Sequence, residues 1–377
     1  MKTPRLQTLK SKAMKEQMNM VIKGAVLSFF LLLFAGASAQ MTIHVINVGQ
    51  GNCVFVEGPK VDGKRRTLIF DGGKSERSYE IVDYLTRLGY MPDKTVIDYM
   101  VVSHKDADHF EGFMGLLSAG YDIDTFYHSG SDKVQKDYDT EFIPQVKKLA
   151  RKLYVMKPGY SMKMGDGAVI TCMVSGGQLI GGEVIEDLSE NDKSIGLLFE
   201  YGDFEFFSAG DLGGGKFAAD EKCTNRSTSQ KNIESSLLRA MQRERFIERD
   251  KGIEVLHVSH HGSESSTNYE FMNGMSPAVA VISVGQNQST TYQHPRIDIV
   301  ERVLMAQAPC ITVPPALVLQ TEEGLDKGKT SFEGLVVGDI IIEVDASGDY
   351  KISTTGEFEG TSTDSVPPGL WGEFKKD

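Results

Sequence analysis

The six residues His104-Lys105-Asp106-Ala107-Asp108-His109 constrain this chain more than any other stretch of its 377 residues. Two imidazoles and two carboxylates follow directly on an apolar run, Tyr99-Met100-Val101-Val102-Ser103. That run has the length and composition of a buried strand, so the segment belongs to the loop where the strand ends. Imidazole nitrogen and carboxylate oxygen are the ligands that hold Zn²⁺, Mn²⁺ or Fe²⁺. Crowding four such groups costs self-repulsion and desolvation unless a cation offsets it. The competing reading is a solvated acidic loop with two incidental histidines. The chain holds only eight His, and two of them flank this Asp-x-Asp, which favours a metal.

Residues 1–39 read as an export signal rather than as part of the fold. Lys2, Arg5, Lys10, Lys12, Lys15 and Lys23 form a basic lead, and an apolar stretch over 25–35 is broken only by Ser28. Ala37-Ser38-Ala39 then precede Gln40, the small-x-small pattern that signal peptidase accepts. The apolar stretch is shorter than the roughly 18–20 residues of a permanent span. No cysteine marks the junction for a lipid anchor. The expectation is an exported protein, periplasmic or extracellular, without stable membrane insertion after cleavage. An uncleaved anchor is the competing reading, and Met14, Met18 and Met20 leave the start codon open.

Loss of six basic residues and one acid (Glu16) takes the formal charge from −12 to −17. Such a surface repels polyanions at long range and disfavours tight non-specific binding of DNA or RNA. Cys53, Cys172, Cys223 and Cys310 form no Cys-x-x-Cys pair, which excludes a zinc finger. Disulfides are open to them in an oxidising compartment, with no pairing assigned. Cys53, in the apolar run 53–56, reads as a buried thiol.

Apolar runs predict strands over 43–48, 53–56, 67–70, 99–102, 197–201, 204–209, 253–259 and 279–284. Helical spacing predicts helices over 79–88, 110–117, 140–153, 233–249 and 297–306. A polar loop is expected over 213–230 and a late hairpin around Ser347-Gly348. This gives one domain over 40–354 and a flexible polar tail over 355–377. The fold class is α+β, two sheets packed face to face with helices outside. The 104–109 segment, Asp211 and His260 each follow an apolar strand, so strand ends on one edge can converge on one site.

Six signatures carry a resemblance to a known family. In order they are Val48-Gly49-Gln50-Gly51-Asn52, Phe70-Asp71-Gly72-Gly73, the segment 103–109, Ser208-Ala209-Gly210-Asp211, Ser259-His260-His261-Gly262-Ser263 and His294-Pro295. Over residues 41–345 the chain resembles the metallo-β-lactamase-fold superfamily and is similar to the hydrolase domain of ComEC-type competence proteins. The resemblance implies a four-layer αβ/βα sandwich with two divalent metal ions at one edge. It assigns His104 and Asp106 to the first metal, and Asp108, His109 and His260 to the second, with Asp211 bridging. His261 and Ser263 would stand behind the ligands or face substrate. Asp106 replaces the superfamily's usual His, as in the ComEC-like branch. The third His of the first metal is missing. Asn191 falls in its place, where a neutral amide is a poor ligand. His128 is the other candidate, unless it is a solvent-facing loop histidine.

The chemistry of these groups agrees. Two divalent ions opposed by Asp106, Asp108 and Asp211 would activate a bridging water near neutral pH without a general base. Zinc is the first choice, and the extra carboxylate makes manganese the alternative. Asp108 and His294 are the catalytic candidates. His294 would bind phosphate or protonate a leaving group at the pocket mouth, or else serve as a structural loop histidine. Asp71 would orient a ligand.

The leading functional reading is an exported metal-dependent hydrolase of phosphodiesters, acting on a small phosphoester or a short single-stranded nucleic acid. Lys60, Lys64, Arg65 and Arg66 are expected to form a small basic lip on the metal edge. The alternatives are a lactone- or β-lactam-type C–O or C–N hydrolase and a non-catalytic metal-binding module. Mass spectrometry of the exported protein is expected to show an N-terminus at Gln40. Recovery of the intact chain in membranes would overturn the signal reading.

Overall fold

A computed structural model describes residues 40–215, 230–286, 288, 293–324, 334–355 and 373–374. The expected signal peptide, most of the 213–230 loop, and tail residues 356–372 and 375–377 lie outside the described residues. Two nine-stranded sheets make the body. The first runs Glu373–Phe374, Tyr350–Thr354, Ile340–Val344, Met41–Val45, Val54–Glu57, Thr67–Phe70, Val96–Val102, Asp122–His128, Ala150–Val155. The second runs Leu335–Val336, Leu317–Gln320, Val279–Ile282, Val255–His257, Phe204–Ser208, Gly196–Tyr201, Ala168–Ser175, Ser161–Gly165, with Gln178–Leu179 beside Ala168–Ser175.

Each sheet has an antiparallel part and a parallel part. The pairs from Thr67–Phe70 to Ala150–Val155 are parallel, as are those from Phe204–Ser208 to Leu335–Val336. Parallel neighbours need crossovers, and these carry helices to the outside. Period-two alternation then sorts the side chains. Leu68, Phe70 and Val101 face Leu197, Phe199, Phe206 and Val255 between the sheets. Ile69, Met100 and Phe126 point outward onto Ile81, Leu85, Phe113 and Leu116 of the helices Ser78–Arg87 and Phe113–Ala119. Leu198, Phe207 and Leu256 pack on Leu237 and Met241 of the helix Ile233–Arg243. The architecture is the four-layer αβ/βα sandwich. Among the described residues no helix is long and apolar enough to cross a membrane.

Four expected helices change, the 297–306 helix being a π-helix over Asp298–Leu304. The 140–153 helix is a π-turn at Tyr138–Phe142 and an α-helix Ile143–Leu149, after which Ala150–Val155 is a strand. The Leu153-Tyr154-Val155 run is strand-prone, and pairing with Asp122–His128 overrides helical spacing. The 233–249 helix stops at Arg243. The 110–117 helix divides into Ala107–Phe110 and Phe113–Ala119 around Gly112. Cys53 and Cys172 are free buried thiols.

Gly112 is a steric requirement. A Cβ there would lie 1.8 Å from the Gly72 carbonyl oxygen, and the Gly112 N–H donates to Gly73 O at 2.9 Å. This contact locks the Asp71-Gly72-Gly73 turn onto the helix that carries His109. Gly112→Ala should cost about 1–3 kcal/mol, the usual scale of forced overpacking, read by denaturant unfolding. Unchanged stability would show that the turn can move aside.

Candidate metal centre

Strand ends build the site. Val96–Val102 runs into Ser103 and His104, Asp106 is extended (φ −77°, ψ 146°), and Ala107–Phe110 is a single helical turn bearing Asp108 and His109. Phe204–Ser208 leads to Asp211, and Val255–His257 leads to His260 and His261. His104 and His109 have ring centroids 4.2 Å apart, and His109 and His261 5.4 Å. Asp211 Oδ1 is 3.1 Å from His109 Nε2 and 3.6 Å from His261 Nε2. Asp211 Oδ2 is 3.9 Å from His104 Nε2. Asp106 Oδ2 is 3.6 Å from His104 Nε2, and Asp108 Oδ2 is 3.3 Å from His261 Nε2. Two ligand groups result, His104–His109–Asp211 and Asp108–His109–His261, each with its ligand atoms within 4.8 Å of one another.

The opposite ring nitrogens are fixed. His109 Nδ1 donates to Asp71 Oδ2 at 2.7 Å, and Asp71 also accepts from Ser103 N and Ser103 Oγ at 2.7 Å each. His104 Nδ1 lies 3.0 Å from Ser103 Oγ, and His261 Nδ1 donates to Ser283 O at 2.8 Å. These bonds place the protons on Nδ1 and turn the Nε2 lone pairs inward, as ligating imidazoles require. The Nε2 atoms of His104, His109 and His261 and Oδ1 of Asp211 are buried with no hydrogen-bond partner. Buried polar atoms are normally satisfied, so this orphaned convergence is what a divalent cation fits.

Electrostatics point the same way. Burial would raise the Asp211 carboxyl, but His260, His109 and His261 outweigh it and hold the group well below the usual range. Burial likewise opposes ionisation of Asp108, yet the neighbouring His261 and His109 imidazoles bring it down. His257, buried under the site between Ser208 Oγ and Ser283 Oγ at 2.8 Å each, is pushed down to about 3 by burial, then by His261 and His109.

The structure changes four expectations. His261, not His260, sits beside Asp108 and His109, while His260 Nε2 lies 3.5 Å from Asp211 Oδ2. Consecutive left-handed residues (His260 φ 53°, His261 φ 52°) reverse which ring faces Asp108, a turn no strand pattern predicts. His128 ends a strand rather than lying on a loop. It is half-buried, takes a hydrogen bond from Gly130 N and is absent from the pocket lining. The basic lip is displaced. Lys60, Lys64, Arg65 and Arg66 occupy the turn before Thr67–Phe70, the end opposite Asp71, where Arg65 bonds Gln40 O and Gly58 O. His294 is buried rather than at the pocket mouth, with Nδ1 lacking a hydrogen-bond partner and its ring 5.2 Å from that of His260. Burial, then His260 and His261, depress its basicity.

Asn191 lines the pocket, and its amide Nδ2 lies 3.3 Å from His260 Nε2. Ser263 N donates to His260 O, and Ser263 Oγ meets Ser265 Oγ, which contacts His260 Nδ1. The pocket of about 370 Å³ is lined by Asp106, Asp108, Asn191, Asp211, His260, His261 and His294, and also by Gln50, Lys74 and Gln288. Sequence reasoning passed over the last three as site residues, although Gln50 lies within a family signature and Lys74 directly follows another. A larger cavity of about 860 Å³ borders the helix Ser78–Arg87, away from the His/Asp cluster.

No protein-family model matches the chain. ComE operon protein 3 of Bacillus subtilis strain 168 is 24% identical over 282 residues, which cover 71% of this chain and 31% of that protein. The chain thus spans less than a third of the curated relative it matches. This match and the two-sheet architecture agree with the resemblance carried by the motifs. Among solved structures, a metallo-β-lactamase from Cronobacter sakazakii with a HARLDQ motif is 12% identical over 57% of this chain and 76% of that one, at a TM-score of 0.33. MEM-A1, a subclass B3 metallo-β-lactamase from a soil metagenome library, is 15% identical over 58% and 79%, at 0.32. A diphosphatase of the PhnP family is 11% identical over 66% and 87%, at 0.34.

Asp71→Asn should weaken metal binding about 10–100-fold, the usual cost of losing a carboxylate behind a ligating histidine. Asp211→Ala should lower the content of both ligand groups, read by elemental analysis after dialysis. Full metal content in Asp211→Ala would refute the bridging position.

Proposed function

We propose that this metallo-β-lactamase-fold chain, similar over most of its length to a ComE operon protein, is an exported hydrolase of phosphodiesters that works with two divalent metal ions. One observation carries the reading: the orphaned Nε2 atoms of His104, His109 and His261 converge on Asp211 Oδ1 beside Asp106 and Asp108. His104, Asp106 and Asp211 would hold one ion, and Asp108, His109 and His261 the other, with Asp211 between them. When bound, zinc or manganese supplies a Lewis acid for water and for a phosphoryl oxygen.

The chain's own residues do the rest. Asp71 and Ser283 fix the ring orientation of His109 and His261. Gln288 clamps His294 from both sides, donating to its carbonyl and accepting from its N–H at 2.6 Å each. That clamp holds the His294 backbone, and the unpartnered Nδ1 of its ring would hydrogen-bond a substrate oxygen. A pocket of about 370 Å³ suits a small phosphoester or the end of a short single strand. The export reading adds the signal pattern before Gln40, and it places the activity in the periplasm or outside the cell.

The test is to purify the chain from Gln40, measure bound metal, and assay bis-p-nitrophenyl phosphate, single-stranded DNA and nitrocefin. About two ions per chain are expected, with phosphodiesterase activity abolished by chelation and restored by zinc or manganese. Turnover of nitrocefin alone would replace the phosphodiester reading with C–N hydrolysis. Bound metal without any turnover would leave a binding module.

A further inference from the structure

Three carboxylates, Asp106, Asp108 and Asp211, line the pocket; the proposed ions would offset them, and a substrate phosphate would gain further from a protein cation in the same lining. The described basic groups around the site are nearly all committed. Lys105 Nζ donates to Lys133 O and pairs with Asp139 at 3.1 Å. Lys133 pairs with Asp106 at 3.4 Å, and Lys193 with Asp132 at 2.5 Å. Arg77 is taken by Glu80 and Glu322, and Arg296 by Glu264. Lys74 differs. It is half-buried on the pocket wall, and no described carboxylate pairs with it. Glu111, which packs on the same turn, accepts a hydrogen bond from Ser75 Oγ at 3.0 Å.

The backbone at Lys74 is fixed. Gly72 N donates to His109 O at 2.7 Å, Gly73 N to Asn52 O at 2.9 Å, and Arg77 N to Lys74 O at 3.2 Å. The turn that orients His109 through Asp71 therefore also sets where the Lys74 side chain starts, three residues further on. Gln50 and Gln288 line the same pocket as neutral hydrogen-bonding groups.

We propose that Lys74 is the anion-recognition residue of this pocket, its ammonium binding the charged oxygens of the substrate's phosphate. This rests on the phosphodiester reading above, and it shifts the anion contact from the distant Lys60–Arg66 turn to the loop following Asp71. Lys74 is a binding residue, and it acts on affinity rather than on bond cleavage.

The experiment titrates inorganic phosphate into metal-loaded wild type, Lys74→Ala and Lys74→Arg by calorimetry, with metal content measured on the same samples. Kinetics on bis-p-nitrophenyl phosphate run in parallel. Lys74→Ala should weaken phosphate binding roughly tenfold, as loss of one charged hydrogen bond does, and raise KM by a similar factor. Metal content should match wild type, salt dependence should flatten, and Lys74→Arg should recover most of the affinity. Equal phosphate affinity in wild type and Lys74→Ala would overturn the proposal. So would a loss that tracks metal depletion and resists rescue by Arg. If the wild type cleaves no diester yet binds phosphate through Lys74, the phosphodiesterase reading falls and the anion site stands.

Discussion

The Asp71 carboxylate is the constraint on which the site depends. It is fully buried and takes three hydrogen bonds, from Ser103 N, Ser103 Oγ and His109 Nδ1, each at 2.7 Å. These bonds join the end of Thr67–Phe70 to the end of Val96–Val102 and to the helix that carries Asp108 and His109. Asp71 also adopts a left-handed backbone (φ 59°), a cost of roughly 1–2 kcal/mol that aspartate tolerates better than most residues. The strain is held because its N–H still bonds Val101 O at 2.9 Å, so the strand ladder continues through the residue that leaves it. One buried anion thereby fixes a backbone turn, a strand junction and an imidazole tautomer together.

Around that anion, like charges are held close by deliberate neighbours. Asp106, Asp108 and Asp211 share a small volume with His104, His109, His260 and His261. Desolvation would neutralise these acids, yet the imidazoles keep Asp108 and Asp211 ionised. Such an arrangement is poor as a source of stability and suited to holding cations. The formal charge of −12 over the whole sequence gives the chain no general attraction for polyanions, whereas Lys74 is a lone lysine in the pocket lining. On the proposed reading, recognition of an anion would be local rather than a matter of long-range attraction.

Much of this was legible in the sequence, for identifiable reasons. The ligands in 104–109 lie in one segment behind a strand, and Asp211 lies just past another, so strand reading alone brings them to one edge. The pair His260 and His261 was not separable, because two successive left-handed residues decide which ring faces Asp108. The basic residues Lys60, Lys64, Arg65 and Arg66 lie on the edge away from the cluster, as strand direction alone implies: Thr67–Phe70 delivers Asp71 to the site, so the preceding turn must lie at the other end. The 140–153 helix failed in its second half because apolar spacing in a short window fits either a helix or the edge strand Ala150–Val155. Lys74 carries no motif signal of its own, and its meaning appears only when its neighbours' ion pairs are known.

The ligands are divided between the two sheets. His104, Asp106, Asp108 and His109 hang from a strand end of the first, and Asp211 and His261 from strand ends of the second. A cation held among them acts as a rivet across the open edge of the sandwich, where the apolar layer between the sheets stops. By linkage, a metal at about a thousand times its dissociation constant adds roughly 4 kcal/mol to folding, comparable with the whole margin of many domains. With the proposed ions bound, cohesion of the two halves would depend on the metal supply of the surroundings as well as on the sequence. A chain that has bound no ion would be the one most exposed to proteolysis.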